Sequence, residues 1–359
     1  MTSCRCSSPR PISPLAPAIA RELAVLVERG DTGYTPPDPG VAVAYAAFAE
    51  RRFGWAVDPA RVRVTCDVMM GVVEILRAVL TPGDRVVVTP PVYPPFYDCV
   101  PEAGGVVERV PLRDTGGGVG ARSRRHRRGA GIRCASRAAV QSPQPHRDRA
   151  HAGGARASRR DRGGPRGDRR QRRDPRAVDP PGVEFTPFLS AGAAAERVGF
   201  AVVSASKAFN LAGLKCALMV TASDERSAVV SGLPAEVEWR TGLFGARAAL
   251  AAFAPESDEW LDGLRAALDA NRRLLADLLA EHLPRARYRL PDAGFLAWVD
   301  LSDYGWGDNP AVKIRREAKV AFHLGPYFGA EGAAHVRINF GCAPEVLREA
   351  IERTAALVE

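Results

Sequence analysis

No stretch of the 359 residues approaches the roughly 18 consecutive apolar positions of a membrane-spanning helix, so the sequence offers no candidate span and predicts no membrane partner. Cysteine pairs at metal-binding spacing are also missing. Cys4, Cys6, Cys66, Cys99, Cys134, Cys216 and Cys342 are scattered, with no C-x-x-C among them. That scatter argues against zinc or any other metal and against a disulfide framework, and it points to a reducing, cytoplasmic setting. The sharpest absence is local. Residues 122–176 contain no Leu, Met, Phe, Tyr or Trp, and neither Lys nor Glu. Such a segment cannot bury a core face, and residues 114–181 around it are expected to be disordered or poorly folded. The segment holds 19 Arg and 4 Asp, a net +15, so the chain's +9 leaves 9 − 15 = −6 for the rest. The basic total therefore comes from one stretch on a mildly acidic body. Aromatics interleaved with the arginines, which nucleic-acid binding would use, are absent, so no nucleic-acid partner is expected.

What is present is an ordered alternation. Ile19–Glu28 and Val41–Phe53 show apolar residues at helical spacing, separated by the loop Gly30–Pro39. Arg61–Thr65 predicts a short strand, Asp67–Leu80 a helix closed by T-P-G-D, and Asp84–Thr89 a buried strand. P-P-V-Y-P-P-F-Y predicts a rigid loop, and Val106–Leu112 another strand. Order returns near residue 182, with a strand at Gly199–Ser204, a mostly helical stretch Val229–Phe253 and a long amphipathic helix Glu256–His282. The strand patterns Y-R-L-P-D-A-G-F-L-A-W-V-D-L and H-V-R-I-N-F-G follow, then a final helix from Pro344. Strands alternating with helices predict an α/β fold with a mostly parallel sheet and flanking helices. The expected organisation is an arm at 1–39, a large domain at 40–254 and a smaller C-terminal α+β domain at 255–359.

The stretch S-A-S-K-A-F-N-L-A-G-L-K, Ser204–Lys215, carries chemistry. A lone lysine is usually solvated, but Lys207 follows a buried strand, is flanked by Ser204 and Ser206, and precedes a second cation, Lys215. An amine there can form a Schiff base with an aldehyde cofactor, while hydroxyls and a cation hold its phosphate. With P-P-V-Y-P-P-F-Y and H-V-R-I-N-F-G-C in the same order and spacing, the stretch resembles the class I/II (fold type I) aminotransferase superfamily. Within it, the motifs resemble the cystathionine β-lyase-type carbon–sulfur lyase branch. The resemblance covers residues 13–113 and 182–359.

It implies pyridoxal 5'-phosphate as cofactor and Lys207 as Schiff-base lysine and Cα proton shuttle. Ser204, Lys215 and the backbone amides of Val68 and Met69 would hold the phosphate. Tyr93 would stack on the pyridine ring; the plainer reading is a strand-end core tyrosine. Tyr34 would reach the phosphate of the partner subunit in a homodimer; the plainer reading is a turn residue. Arg337 would clamp the substrate carboxylate, against the plainer reading of a surface strand arginine. The implied substrates are sulfur amino acids, with a thiol, pyruvate and ammonia as products. Activity in this chain is expected to be impaired by the missing Asn and Asp motifs; an aminotransferase of the same fold and a catalytically dead remnant are the alternatives.

The family pattern also requires an Asn in N-P-x-G and an Asp that pairs with the pyridine nitrogen, both between residues 112 and 182. Neither motif is there. A one-base frame slip over residues 122–178 would account for this: read in the next frame, Gln144–Arg147 can encode N-P-T-G and Arg172–Val178 can encode D-E-I-H-A-P-L. Thr2–Ser13, faintly like a transit peptide as written, can encode V-L-P-L-F-V-A-E-x-D-F in the other frame, which resembles the family's substrate-binding loop.

Overall fold

A computed structural model of the chain describes residues 13–36, 38–111 and 185–358, together with the backbone of three two-residue strands, β1 (Cys4–Arg5), β5 (Arg113–Asp114) and β6 (Val119–Gly120). Apart from those pairs, the expectations for residues 114–181, for the two frame readings and for the missing Asn and Asp lie outside the described residues.

Helix α1 (Pro17–Arg29) ends at Gly30, whose φ of 66° places it in the left-handed region. Helix α2 (Val41–Phe53) is started by Asp38, whose Oδ1 accepts from the amides of Gly40 at 2.9 Å and Val41 at 2.6 Å. Strand β2 (Val62–Thr65) leads into α3 (Val68–Val79), and β3 (Arg85–Val88) and β4 (Val106–Arg109) flank α4 (Pro95–Glu102). Helix α4 corrects the expectation of a rigid loop over P-P-V-Y-P-P-F-Y. Pro95 occupies a first-turn helical position, where proline's missing N–H costs nothing, so the loop stops at Pro94. After α5 (Ala193–Val198) come β7 (Phe200–Val203), β8 (Ala217–Thr221) and three helices, α6 (Asp224–Ser231), α7 (Glu236–Trp239) and α8 (Leu243–Phe253). The long α9 (Asp258–His282) buries Leu261, Leu268, Leu275, Leu278 and Leu279 along one side, each worth about 2 kcal/mol against exposure. The remainder comprises β9 (Arg287–Tyr288), β10 (Leu296–Asp300), α10 (Pro310–Glu317), β11 (Val320–Ala321), β12 (His323–Leu324), β13 (His335–Asn339) and α11 (Pro344–Ala355).

Among the described residues the first sheet falls into two pieces, β2-β8-β7 and the parallel pair β3-β4. Strand β8 runs antiparallel to both of its neighbours, which makes β2 and β7 parallel to each other. A second sheet, β12-β13-β10-β9, is antiparallel throughout. Helix α3 ties the first two pieces together: Val72, Val73, Ile75 and Leu76 share one apolar cluster with Val88 of β3 and Phe200 and Val202 of β7.

Candidate active site

Strand register explains why distant residues meet. Thr65 pairs with Ala217, and Val203 with Leu218. The chain leaving β2, the chain leaving β7 and the chain arriving at β8 therefore share one end of the sheet. Cys66 and Asp67 come to lie beside Lys215, and Ser204 opens the lysine loop next to them.

That loop is internally braced. Ser204 Oγ accepts from the Ser206 amide at 3.1 Å and donates to Ser206 Oγ at 2.7 Å. The Leu211 amide donates to the Ser206 carbonyl at 3.0 Å. Asn210 is left-handed (φ 58°), and its side chain donates to the Ser13 carbonyl at 3.1 Å. Lys215 is left-handed too, a conformation that costs a non-glycine residue on the order of 1 kcal/mol and persists when packing dictates it. The packing comes from α8: a Cβ on Gly245 would stand 2.1 Å from the Leu214 carbonyl oxygen and 2.9 Å from that of Lys215.

At the start of α3, Asp67 has a double task. Its Oδ1 accepts from the Met70 amide at 2.9 Å, and its Oδ2 accepts from Lys215 Nζ at 2.9 Å. Burial pushes the Asp67 carboxyl up, but the Lys215 bond and the helix amides outweigh it and hold it below the usual range. Lys215 is raised in turn by the same bond. Asp67 thus engages the first turn itself, through the Met70 amide and, more weakly, the Met69 amide. Sequence reading missed Asp67, although an Asp directly before an apolar helical pattern is an N-cap signal.

The second half of the site comes from β13. Arg337 is only 3% exposed, which overturns the reading of a surface strand arginine. Burial pushes its pKa down to about 10, with Tyr93 acting in the other direction. Lys207 is half-buried, and its pKa is lowered by burial first and by Arg337 second. Tyr93 also acts electrostatically on Lys215. Lys207, Arg337, Tyr93, Lys215 and Asp67 thus form one connected group. Tyr34 is not drawn into it within one chain and is fully exposed. Among the described residues no cluster of His, Cys, Asp or Glu is arranged to hold a metal ion, and no helix is long and apolar enough to cross a membrane.

The fit of these residues to pyridoxal phosphate turns on Lys207. Among the described residues no acceptor takes its ammonium, and its main electrostatic neighbour is a cation. A half-buried amine so placed is costly unless it is neutral or covalently consumed. The hydroxyl pair, the helix start and Lys215 lie at the same sheet end and would suit a phosphate. The residues present therefore fit the cofactor.

Fold and site together define a lysine-centred enzyme of the pyridoxal-phosphate type. The model of the family "Aminotransferase class I and II" matches residues 148–353, more than half of the chain, and the chain belongs to that family. The family is dependent on pyridoxal phosphate. A Mycobacterium leprae (strain TN) protein named "putative cystathionine beta-lyase" is 35% identical over 362 residues, covering 94% of this chain and 88% of that one. The cystathionine β-lyase PatB of Bacillus subtilis (strain 168) is 27% identical over 351 residues, with the same two coverages of 94% and 88%. Among solved structures, the pyridoxal-phosphate-bound C–S lyase from Staphylococcus hominis superposes with a TM-score of 0.81 at 18% identity, over 99% of this chain and 93% of that one. Cystalysin from Treponema denticola gives 0.79 at 19% identity, over 98% and 90%. These two establish the fold: fold type I, with the α/β sheet and the smaller α+β part.

Proposed function

We propose that the protein is a pyridoxal-phosphate-dependent carbon–sulfur β-lyase that converts cysteine S-conjugates or cystathionine to a thiol, pyruvate and ammonia, and that it works as a homodimer. The observation that carries this reading is the half-buried Lys207 amine, which has no acceptor among the described residues and feels the charge of the buried Arg337. Likeness over nearly the whole chain to proteins named cystathionine β-lyases supports the choice of reaction.

Pyridoxal phosphate, when bound, supplies an aldehyde for the substrate amine and a ring that accepts electrons from the substrate Cα. The C–S bond breaks as the thiolate leaves Cβ and takes a proton, and water converts the remaining enamine to pyruvate and ammonia; the chain's residues would bind and orient the substrate and move the Cα proton. Ser204, Lys215 and the Val68 and Met69 amides hold the phosphate, and Tyr93 covers the ring. Arg337 takes the substrate carboxylate with its planar fork, which orients the Cα–H bond. Lys207 Nζ takes the proton from Cα; its lowered pKa enlarges the neutral, basic fraction at any given pH. Tyr34 contributes to the phosphate site of the partner subunit.

The test is an absorbance titration with pyridoxal phosphate on the purified chain and on Lys207→Ala, followed by product assay. The expected result is a cofactor band that the substitution abolishes, and pyruvate released from a cysteine S-conjugate without any added amino acceptor. A band unchanged in Lys207→Ala removes the reading. Product formation that requires an amino acceptor replaces it with an aminotransferase of the same fold.

A further inference from the structure

The antiparallel ladders of the second sheet place three side chains in one row. Trp298 of β10 and His323 of β12 are the register partners of Arg337 on β13, one on each side. Residues directly opposite in such ladders share a face, with Cβ atoms about 5 Å apart. The turn after β12 then lays Phe328 over the row. Its ring centre is 4.6 Å from the Arg337 guanidinium carbon, 5.0 Å from the His323 ring and 5.6 Å, edge-on, from the Trp298 ring. Tyr327 covers the outer side of His323 at 5.1 Å. The row is tied to the other half of the site, because the Phe328 carbonyl accepts from the Val92 amide at 3.2 Å, beside Tyr93.

We propose that His323 is a positioning residue for the substrate carboxylate: an uncharged ring that, with Trp298 and Phe328, fixes where the Arg337 guanidinium sits. This rests on the reading of Arg337 as the carboxylate clamp. An arginine side chain has four rotatable bonds, and a bidentate clamp works only if its fork is already oriented. Register puts Trp298 on one side of Arg337 and His323 on the other, and Phe328 lies over the guanidinium. The His323 ring must be neutral for this, since an imidazolium would repel the guanidinium. Burial first and Arg337 second push the His323 pKa down, against a backbone contact with Leu324 that pushes it up, so the net direction favours the neutral ring. The rings of Phe328 and Tyr327 pack against it at 5.0 and 5.1 Å and hold it in the row.

The experiment compares His323→Ala, His323→Gln and His323→Phe in the cofactor-loaded full chain. The readouts are cofactor affinity by absorbance titration, KM and kcat on a cysteine S-conjugate, and Tm. His323→Ala and His323→Gln are expected to raise KM about tenfold, the scale of letting the Arg337 fork and its Phe328 cover lose their fixed place, with kcat and cofactor affinity within about twofold of the unaltered chain. His323→Phe restores a neutral ring and is expected to bring KM back to within about threefold. An unchanged KM in His323→Ala overturns the inference, as does a His323→Phe chain no better than His323→Gln. That second comparison decides the matter if His323→Ala fails to fold. A chain that binds cofactor and turns over by transamination changes the proposed reaction but leaves the KM comparison intact. A chain that binds no cofactor before any substitution overturns the parent reading, and this one with it.

Discussion

Lys207 has a folded-state pKa below its ordinary 10.5, and the two causes can be separated by substitution. Burial remains in Arg337→Gln, while the neighbouring cation goes. The Lys207 pKa should then move back up, so trapping of pyridoxal phosphate on Lys207 by borohydride should need a higher pH in Arg337→Gln than in the unaltered chain. Peptide mass spectrometry across a pH series reads this directly, and coincident profiles would show that Arg337 does not act on the amine. The linkage to stability has a definite sign. In the window between the lowered folded pKa and 10.5 the unfolded state binds more protons, so this group's contribution rises with pH. Lys207→Met removes the cost of the buried ammonium. It should raise Tm in cofactor-free protein at neutral pH, by an amount that shrinks as pH approaches 10.5. A Tm gain independent of pH would point to packing rather than charge.

Between elements, the decisive contact is the one sequence pattern cannot display. The helix Val41–Phe53 and the strands near 62, 85 and 200 were legible, because their apolar periodicity and flanking glycines are local signals. Lys207, Ser204 and Lys215 were legible as a contiguous motif, and Arg337 as a cation between apolar strand residues. Helix α4 was hidden by prolines that read as loop but serve a helix start. The stretch Val229–Phe253 holds the end of α6, then α7 and α8, because Gly232, Pro234 and Gly242 interrupt it. The Asp67–Lys215 pair joins residues 148 positions apart, and the row Trp298–Arg337–His323 depends on register; neither has a local signature. Gly245 belongs to the same class. Its closeness to the Leu214 and Lys215 carbonyls predicts that Gly245→Ala forces α8 away from the lysine loop. The expected cost is about 2 kcal/mol of stability by denaturant titration, together with weaker cofactor binding, since Lys215 moves with the loop. A stable Gly245→Ala chain with unchanged cofactor affinity would mean that the loop holds its shape without α8.

For the whole molecule, the arrangement leaves one proposed site residue without a role in its own chain. Tyr34 is fully exposed, in the loop between α1 and α2, while the proposed phosphate site lies at the end of β2, β7 and β8. A large aromatic on the surface is ordinary by itself; what gives it meaning is a symmetric partner, whose phosphate site it would reach while the partner's Tyr34 reaches back. The two-fold logic makes a sharp test. Tyr34→Ala and Lys207→Ala should each lower pyruvate release strongly when purified alone. A dimer containing one chain of each kind has one site with both native residues and one site with neither. Unfolding and refolding an equal mixture should therefore recover about a quarter of the unaltered activity, as random pairing of an isologous dimer dictates. The recovered activity should rise with protein concentration and follow the dimer fraction in sedimentation. If Tyr34 acted within its own chain, every mixed dimer would carry one defect at each site, and no activity would return on mixing.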